Sequence, residues 1–171
     1  MENNGTIELK VTKTDRACIA GEKYARASME QGKVPVFSCE GGCIKGEIAR
    51  QAASMVARTD GYARACHGEL FTAPRTDLAR WIKEAEKVVV IDGCSILCHG
   101  RIAENIIDED HLVRFNAFAM HGKYGSLMDT DDVPEAERME TAGEVAEMIL
   151  AALNETAPCC PDQVTSSECC G

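Results

Sequence analysis

One stretch of the sequence decides the fold: Lys87-Val-Val-Val-Ile91-Asp92-Gly93-Cys94. Its aliphatic residues follow one another without polar alternation, a pattern that predicts a central strand covered by helices on both faces. A second short apolar run, Val34-Pro-Val-Phe-Ser-Cys39, leads into the glycine-rich turn Glu40-Gly-Gly-Cys43. A predicted helix follows each run, so the sequence indicates strand–helix–strand units and a parallel sheet.

The rest of the chain fits the same alternation. Further strands are predicted over 61–66 and 111–118, with a loop over 67–74. Helices are predicted over 17–31, 44–58, 75–86, 95–107 and 134–154. We therefore expect an α/β fold, a single three-layer αβα domain with a mostly parallel sheet. We expect its boundaries to be an N-terminal helical segment packed on the domain (1–33), the α/β domain (34–154) and a disordered, cysteine-rich tail (155–171).

Composition narrows the classes of partner. The 171 residues include 18 Lys and Arg against 28 Asp and Glu, which gives a formal net charge of −10. Such a surface repels polyanions, so we expect neither nucleic acid nor an anionic membrane as a partner. No apolar run is long enough for a membrane helix, and the first residues show no secretory signal. These features predict a cytoplasmic protein.

The ten cysteines are the unusual feature of the composition. In a reducing compartment, cysteines indicate metal or redox chemistry rather than a disulfide framework. Cys39, Cys66 and Cys94 each come at or just after the end of a predicted strand. Because ligand sites of open parallel sheets collect at the carboxyl ends of the strands, we expect these thiols to converge.

Cys94 and Cys98 are four residues apart, and a helix starting near residue 95 would place both on one face of its first turn. Two such thiolates can bind one zinc ion, and the helix N-terminus would lower their pKa. Asp92 is predicted to cap this helix or to act from the second shell of the metal. Cys43 follows Cys39 at the same spacing of four.

Two histidines directly follow candidate ligands, but we give them less weight. His67 comes after Cys66, and His99 comes after Cys98. Imidazole suits zinc, yet a sequence neighbour of a ligand often points elsewhere. A solvent-facing or capping role is the favoured interpretation of both.

These motifs resemble the DGC-domain family of proposed zinc-binding proteins, named for its central Asp-Gly-Cys. The likeness covers roughly residues 34–150. It is carried by Pro35-Val-Phe-Ser-Cys39-Glu-Gly41 through Gly46, by Cys66, and by Val-Val-Val-Ile-Asp92-Gly93-Cys94 with Cys98. The resemblance implies that Cys39, Cys66, Cys94 and Cys98 are the chelators, in a family whose biochemical role is undefined. Cys43 departs from the family pattern and is an additional candidate ligand or redox partner.

Three functions remain open at this point. The leading hypothesis is a cytosolic protein that binds Zn²⁺ through thiolates, with a role in metal or metalloid handling and a metal donor or acceptor protein as partner. The second is a thiol enzyme for disulfide exchange, sulfur transfer or oxyanion reduction, with a thiol redox partner. The third is an iron–sulfur cluster protein. The absence of Cys-x-x-Cys favours metal binding over the thiol enzyme.

The tail carries two further thiol pairs, Cys159-Cys160 and Cys169-Cys170. Adjacent thiols on a flexible segment can chelate soft ions or exchange disulfides. We therefore predict auxiliary thiols that pass metal or reducing equivalents to the site at the sheet edge.

Overall fold

The computed structural model describes residues 5–40 and 42–155. Its sheet consists of four strands: β1 (Val34–Ser38), β2 (Tyr62–Arg64), β3 (Val88–Asp92) and β4 (Leu112–Asn116). All neighbouring pairs are parallel, in the order β2-β1-β3-β4. All five residues of β3 are buried, as the uninterrupted aliphatic run predicted. The α/β class and the parallel sheet are confirmed.

Helices cover both faces of this sheet. They are α1 (Ile19–Glu30), α2 (Ile44–Val56), α3 (His67–Thr72), α4 (Asp77–Glu84), α5 (Cys98–Ala103), α6 (Ala117–His121) and α7 (Glu135–Glu155), with 3₁₀ turns at Glu109–His111 and Thr130–Asp132. One face packs against α2 and α7, whose buried residues form one apolar cluster with Val36, Val89 and Ile91. The other face, with Phe37, Val88 and Val90, packs against α1, α4 and α5. The side chains of each strand therefore alternate between two cores.

Two local predictions are wrong. Residues 67–74 were expected to be a loop, but α3 forms there because Leu70 is buried in the core beside α4. The helix expected from residue 95 begins only at Cys98 and ends at Ala103. Before it, the N–H of Leu97 donates to the Cys94 oxygen in a turn, and Leu97 adopts a left-handed φ of 54°. Cys94 and Cys98 consequently do not share a first helical turn.

The N-terminal helix joins the fold through α4. Cys18 caps α1 by accepting a hydrogen bond from the Gly21 N–H on its sulfur, and Arg26 forms an ion pair with Asp77 of α4. No helix in the described part of the chain is long and apolar enough to cross a membrane. The predicted tail disorder and the four tail cysteines lie outside the described residues, and the division at residues 33 and 154 stays a prediction.

Candidate metal centre

The carboxyl ends of β1 and β3 place cysteine and carboxylate side chains next to each other. Cys39 follows β1, and its backbone N–H donates to the Ile91 oxygen at 2.9 Å, which extends the pairing with β3 by one residue. Asp92 is the last residue of β3, and only 1% of its surface is exposed. The two chain segments that bear the candidate ligands are thus fixed by main-chain hydrogen bonding.

A compact donor group lies at this edge. One ligand atom from each of Cys39, Asp92 and His99 lies within 4.8 Å of the other two. Asp92 also accepts two backbone hydrogen bonds, from His99 N–H at 3.0 Å and from Gly100 N–H at 2.9 Å. Its carboxylate therefore caps the start of α5, one of the two roles that the sequence left open for it, and positions His99 beside the Cys39 thiol.

His99 contributes a nitrogen that has no partner in the described residues. Its Nδ1 is buried without a hydrogen bond, and buried polar atoms in this state are uncommon in folded proteins. The ring packs edge-on against His67, with centroids 4.6 Å apart. Burial and the neighbouring His99 lower the pKa of His67, so both effects favour its neutral form. A metal ion would satisfy the unpaired nitrogen of His99.

Cys94 and Cys98 belong to the same neighbourhood. Burial raises the pKa of the Cys98 thiol, and the adjacent Cys39, Cys94 and Asp92 raise it further. The sequence predicted the opposite direction, on the argument that a helix N-terminus stabilises thiolates. Cys98 is exposed, and partial removal from water together with its acidic neighbours accounts for this direction. A divalent cation would reverse the balance, because it stabilises the thiolate directly.

A glycine contact brings the loops after β1 and β3 together. A methyl group on Gly93 would lie 2.7 Å from the Gly46 backbone nitrogen and 2.8 Å from both the Gly46 Cα and the Lys45 carbonyl carbon. These are backbone atoms of the first turn of α2, which cannot rotate away as a side chain does. The absence of a side chain at residue 93 allows the start of α2 to approach the end of β3.

The two remaining predicted thiols are placed differently. Cys66, at the N-terminus of α3, is exposed and lines a surface cavity with Tyr24 of α1, Arg64 and Leu78. Cys43 is half-buried at the N-terminus of α2. Like Cys94 and Cys98, neither belongs to the compact group of Cys39, Asp92 and His99. Their roles as ligands stay predictions.

The cysteines of the described residues form no disulfide with one another; they are Cys18, Cys39, Cys43, Cys66, Cys94 and Cys98. Thiols available at a sheet edge suit a metal or redox site. His99, to which sequence reasoning assigned little weight, is the histidine that the structure places in the donor group. The available signal was the interval of seven residues from Asp92, which lets the carboxylate cap the backbone at His99.

Comparison with known proteins identifies a family for this chain. The DGC domain family matches residues 35–146, which is more than half of the chain. No curated protein and no solved structure matches significantly. The matched region runs from β1 into α7 and includes the sheet edge with its donor group.

Proposed function

The chain belongs to the DGC-domain family, and we propose that it is a cytosolic zinc-binding protein whose site lies at the carboxyl ends of β1 and β3. The observation that carries this proposal is the mutual approach of Cys39, Asp92 and His99 within 4.8 Å. Their donor types are those that hold zinc in proteins.

The ligands we assign are Cys39, Cys94, Cys98 and His99. Three thiols and one imidazole make a Cys₃His set, a common composition of structural zinc sites. Asp92 is a positioning residue in this assignment, because its two oxygens already accept the N–H groups of His99 and Gly100. The metal would supply a cross-link between the segments after β1 and β3. The unpaired Nδ1 of His99 supports the fit.

The donor set supports metal binding more than thiol catalysis. Cys39 lies in a compact group with a carboxylate and an imidazole, both of which are donors for a metal ion. The sequence also lacks the Cys-x-x-Cys spacing that dithiol oxidoreductases usually have. Iron–sulfur clusters are usually held by four thiolates, whereas the compact group joins the Cys39 thiol to a carboxylate and an imidazole. Zinc is therefore the favoured metal.

Metal content tests the proposal directly. The full chain, reduced and purified anaerobically, is expected to retain one tightly bound zinc per chain by elemental analysis. In the zinc form, Cys39, Cys94 and Cys98 should resist alkylation, whereas the exposed Cys18 should react as a built-in control. Stoichiometric iron with broad visible absorption, or full labelling of the three thiols, would contradict zinc binding at this edge.

A chain that ends at Ala157 tests the site at the carboxyl ends of the strands without the tail. It lacks Cys159, Cys160, Cys169 and Cys170 but keeps every described residue. One zinc should remain in this shortened chain. A slower rate of zinc uptake than in the full chain would support delivery by the tail thiols, whereas an equal rate would exclude it.

His99→Gln tests the imidazole ligand. We expect zinc affinity to fall by about 10–100-fold. Each of four ligands contributes about a quarter of the binding free energy, and the substitution removes part of the contribution of His99. Cobalt substitution provides the spectroscopic readout, because loss of the nitrogen ligand should shift the visible d–d bands. His111→Gln is the matched control: His111 precedes β4, at the opposite end of the sheet. Unchanged cobalt spectra in His99→Gln would remove His99 from the ligand set.

A further inference from the structure

The N-terminal arm, residues 5–13, has the sequence pattern of a strand, but it has no regular secondary structure and lies outside the sheet. Ile7, Leu9 and Val11 are 80%, 71% and 48% exposed, and the polar residues Glu8 and Lys10 alternate with them. A period of two predicts a strand with one face buried. Three large apolar side chains on one face of an exposed arm indicate an interaction surface.

The arm is anchored at its base alone, as far as the described residues show. The Thr14 N–H donates to the Thr72 oxygen at 2.9 Å, and Arg75 lies 3.6 Å from Asp15. No backbone hydrogen bond joins residues 5–13 to the rest of the described chain. The base lies beside α3, which follows β2 at the sheet edge opposite β4.

β4 offers a matching edge. It pairs with β3 on one side, and no strand of the described chain pairs with the other side. Val113 and Phe115 are half-buried on the face covered by α2 and α7. An open edge of this kind is a template for a further strand. β4 has five residues, enough to pair with residues 6–10 of the arm.

We propose that the arm of one copy pairs with β4 of a second copy, and that two copies exchange their arms reciprocally. An antiparallel register sets Ile7 opposite Phe115 and Leu9 opposite Val113. This register places the apolar face of the arm against the half-buried face of β4. Reciprocal exchange of an identical element is an established route to two-fold dimers.

Charge supports the antiparallel direction. In the same register, Lys13 at the end of the arm approaches the 3₁₀ turn that begins at Glu109, and Glu8 lies opposite Arg114, which also pairs with Glu104 of its own chain. Glu109 belongs to the acidic segment Asp108-Glu109-Asp110 that immediately precedes β4. Each copy carries a net charge of −10, so electrostatic repulsion opposes unspecific association of two copies. Complementary charge pairs between arm and β4 favour the antiparallel pairing over other contacts.

Light scattering after size-exclusion chromatography tests the exchange in the full chain. Reductant and chelator are present, so neither disulfides nor metal can join the copies. We expect the wild-type molar mass to be that of two chains and that of Leu9→Asp to be that of one. Ile19→Asp is the matched control, because Ile19 is 77% exposed but lies on α1 outside the arm; it should remain a dimer.

A charge swap tests the register. Lys13→Glu should weaken the dimer about three- to tenfold, because the arm then brings a negative charge to the acidic segment before β4. Combining it with Glu109→Lys should restore the affinity. A wild-type chain that stays monomeric throughout a concentration series, a dimeric Leu9→Asp, equal dissociation by Ile19→Asp, or no rescue by the swap would overturn the proposal.

Discussion

Replacing Gly93 with alanine is expected to lower the free energy of unfolding by about 2–4 kcal/mol and to abolish tight zinc binding. The added methyl group would lie 2.7 Å from the Gly46 nitrogen and 2.8 Å from the Lys45 carbonyl carbon. Both are main-chain atoms, so the start of α2 must move away from the end of β3. That movement pulls on the chain that follows Cys39 and weakens any site that uses Cys39 together with Cys94.

Urea unfolding of the metal-free protein measures the loss of stability. Gly93 has no positive φ, so backbone strain from a side chain does not contribute and the effect reports packing. Gly143→Ala is the matched control in α7, because a methyl group there meets no atom within 4 Å. It should leave stability unchanged or raise it by up to about 1 kcal/mol. Equal stability of Gly93→Ala and wild type would contradict the close approach.

The sheet was predictable from the sequence, because its strands are encoded in local patterns. Val88 to Ile91 form an unbroken aliphatic run, and such a run needs a core on both faces. Cysteines placed at strand ends then had to share one edge of a parallel sheet. These inferences need only the chain order and the direction of the strands.

The start of α5 was not predictable in the same way. Spacing alone allowed a helix from residue 95, but the tertiary structure caps the backbone at His99 and Gly100 with Asp92 from β3. The helix therefore begins later, after a turn that includes the left-handed Leu97. When a neighbouring strand supplies the cap, the only sign of it in the sequence is an acidic residue several positions before the helix.

The orientation of His99 depends on contacts that are distant in sequence. His67 packs against its ring from α3, a helix that sequence reasoning treated as loop. Without that helix, nothing in the chain suggested that His99 is held inward. The three residues of the Asp-Gly-Cys motif have different roles. Asp92 caps α5, Gly93 permits the approach of α2, and Cys94 supplies a thiol.

Replacing Cys39 with serine is expected to weaken zinc binding by about 100-fold or more. Zinc–thiolate sites bind with about 10–16 kcal/mol, so one of four ligands carries about 3 kcal/mol, or two powers of ten. The backbone hydrogen bond from residue 39 to Ile91 does not involve the side chain and should persist. The metal-free fold should therefore remain, and the loss should be confined to the metal-bound state.

Competition with a chromophoric chelator measures the affinity, and thermal unfolding with and without zinc measures its coupling to stability. At zinc concentrations about 100 times the wild-type Kd, the wild-type protein gains about 2.7 kcal/mol, whereas Cys39→Ser should gain little. Cys18→Ser is the control outside the site. Cys66→Ser decides the fourth ligand: near-wild-type affinity supports His99, and a loss as large as that of Cys39→Ser would assign the position to Cys66. If Cys39→Ser itself bound zinc as tightly as wild type, the sheet edge would not be the zinc site.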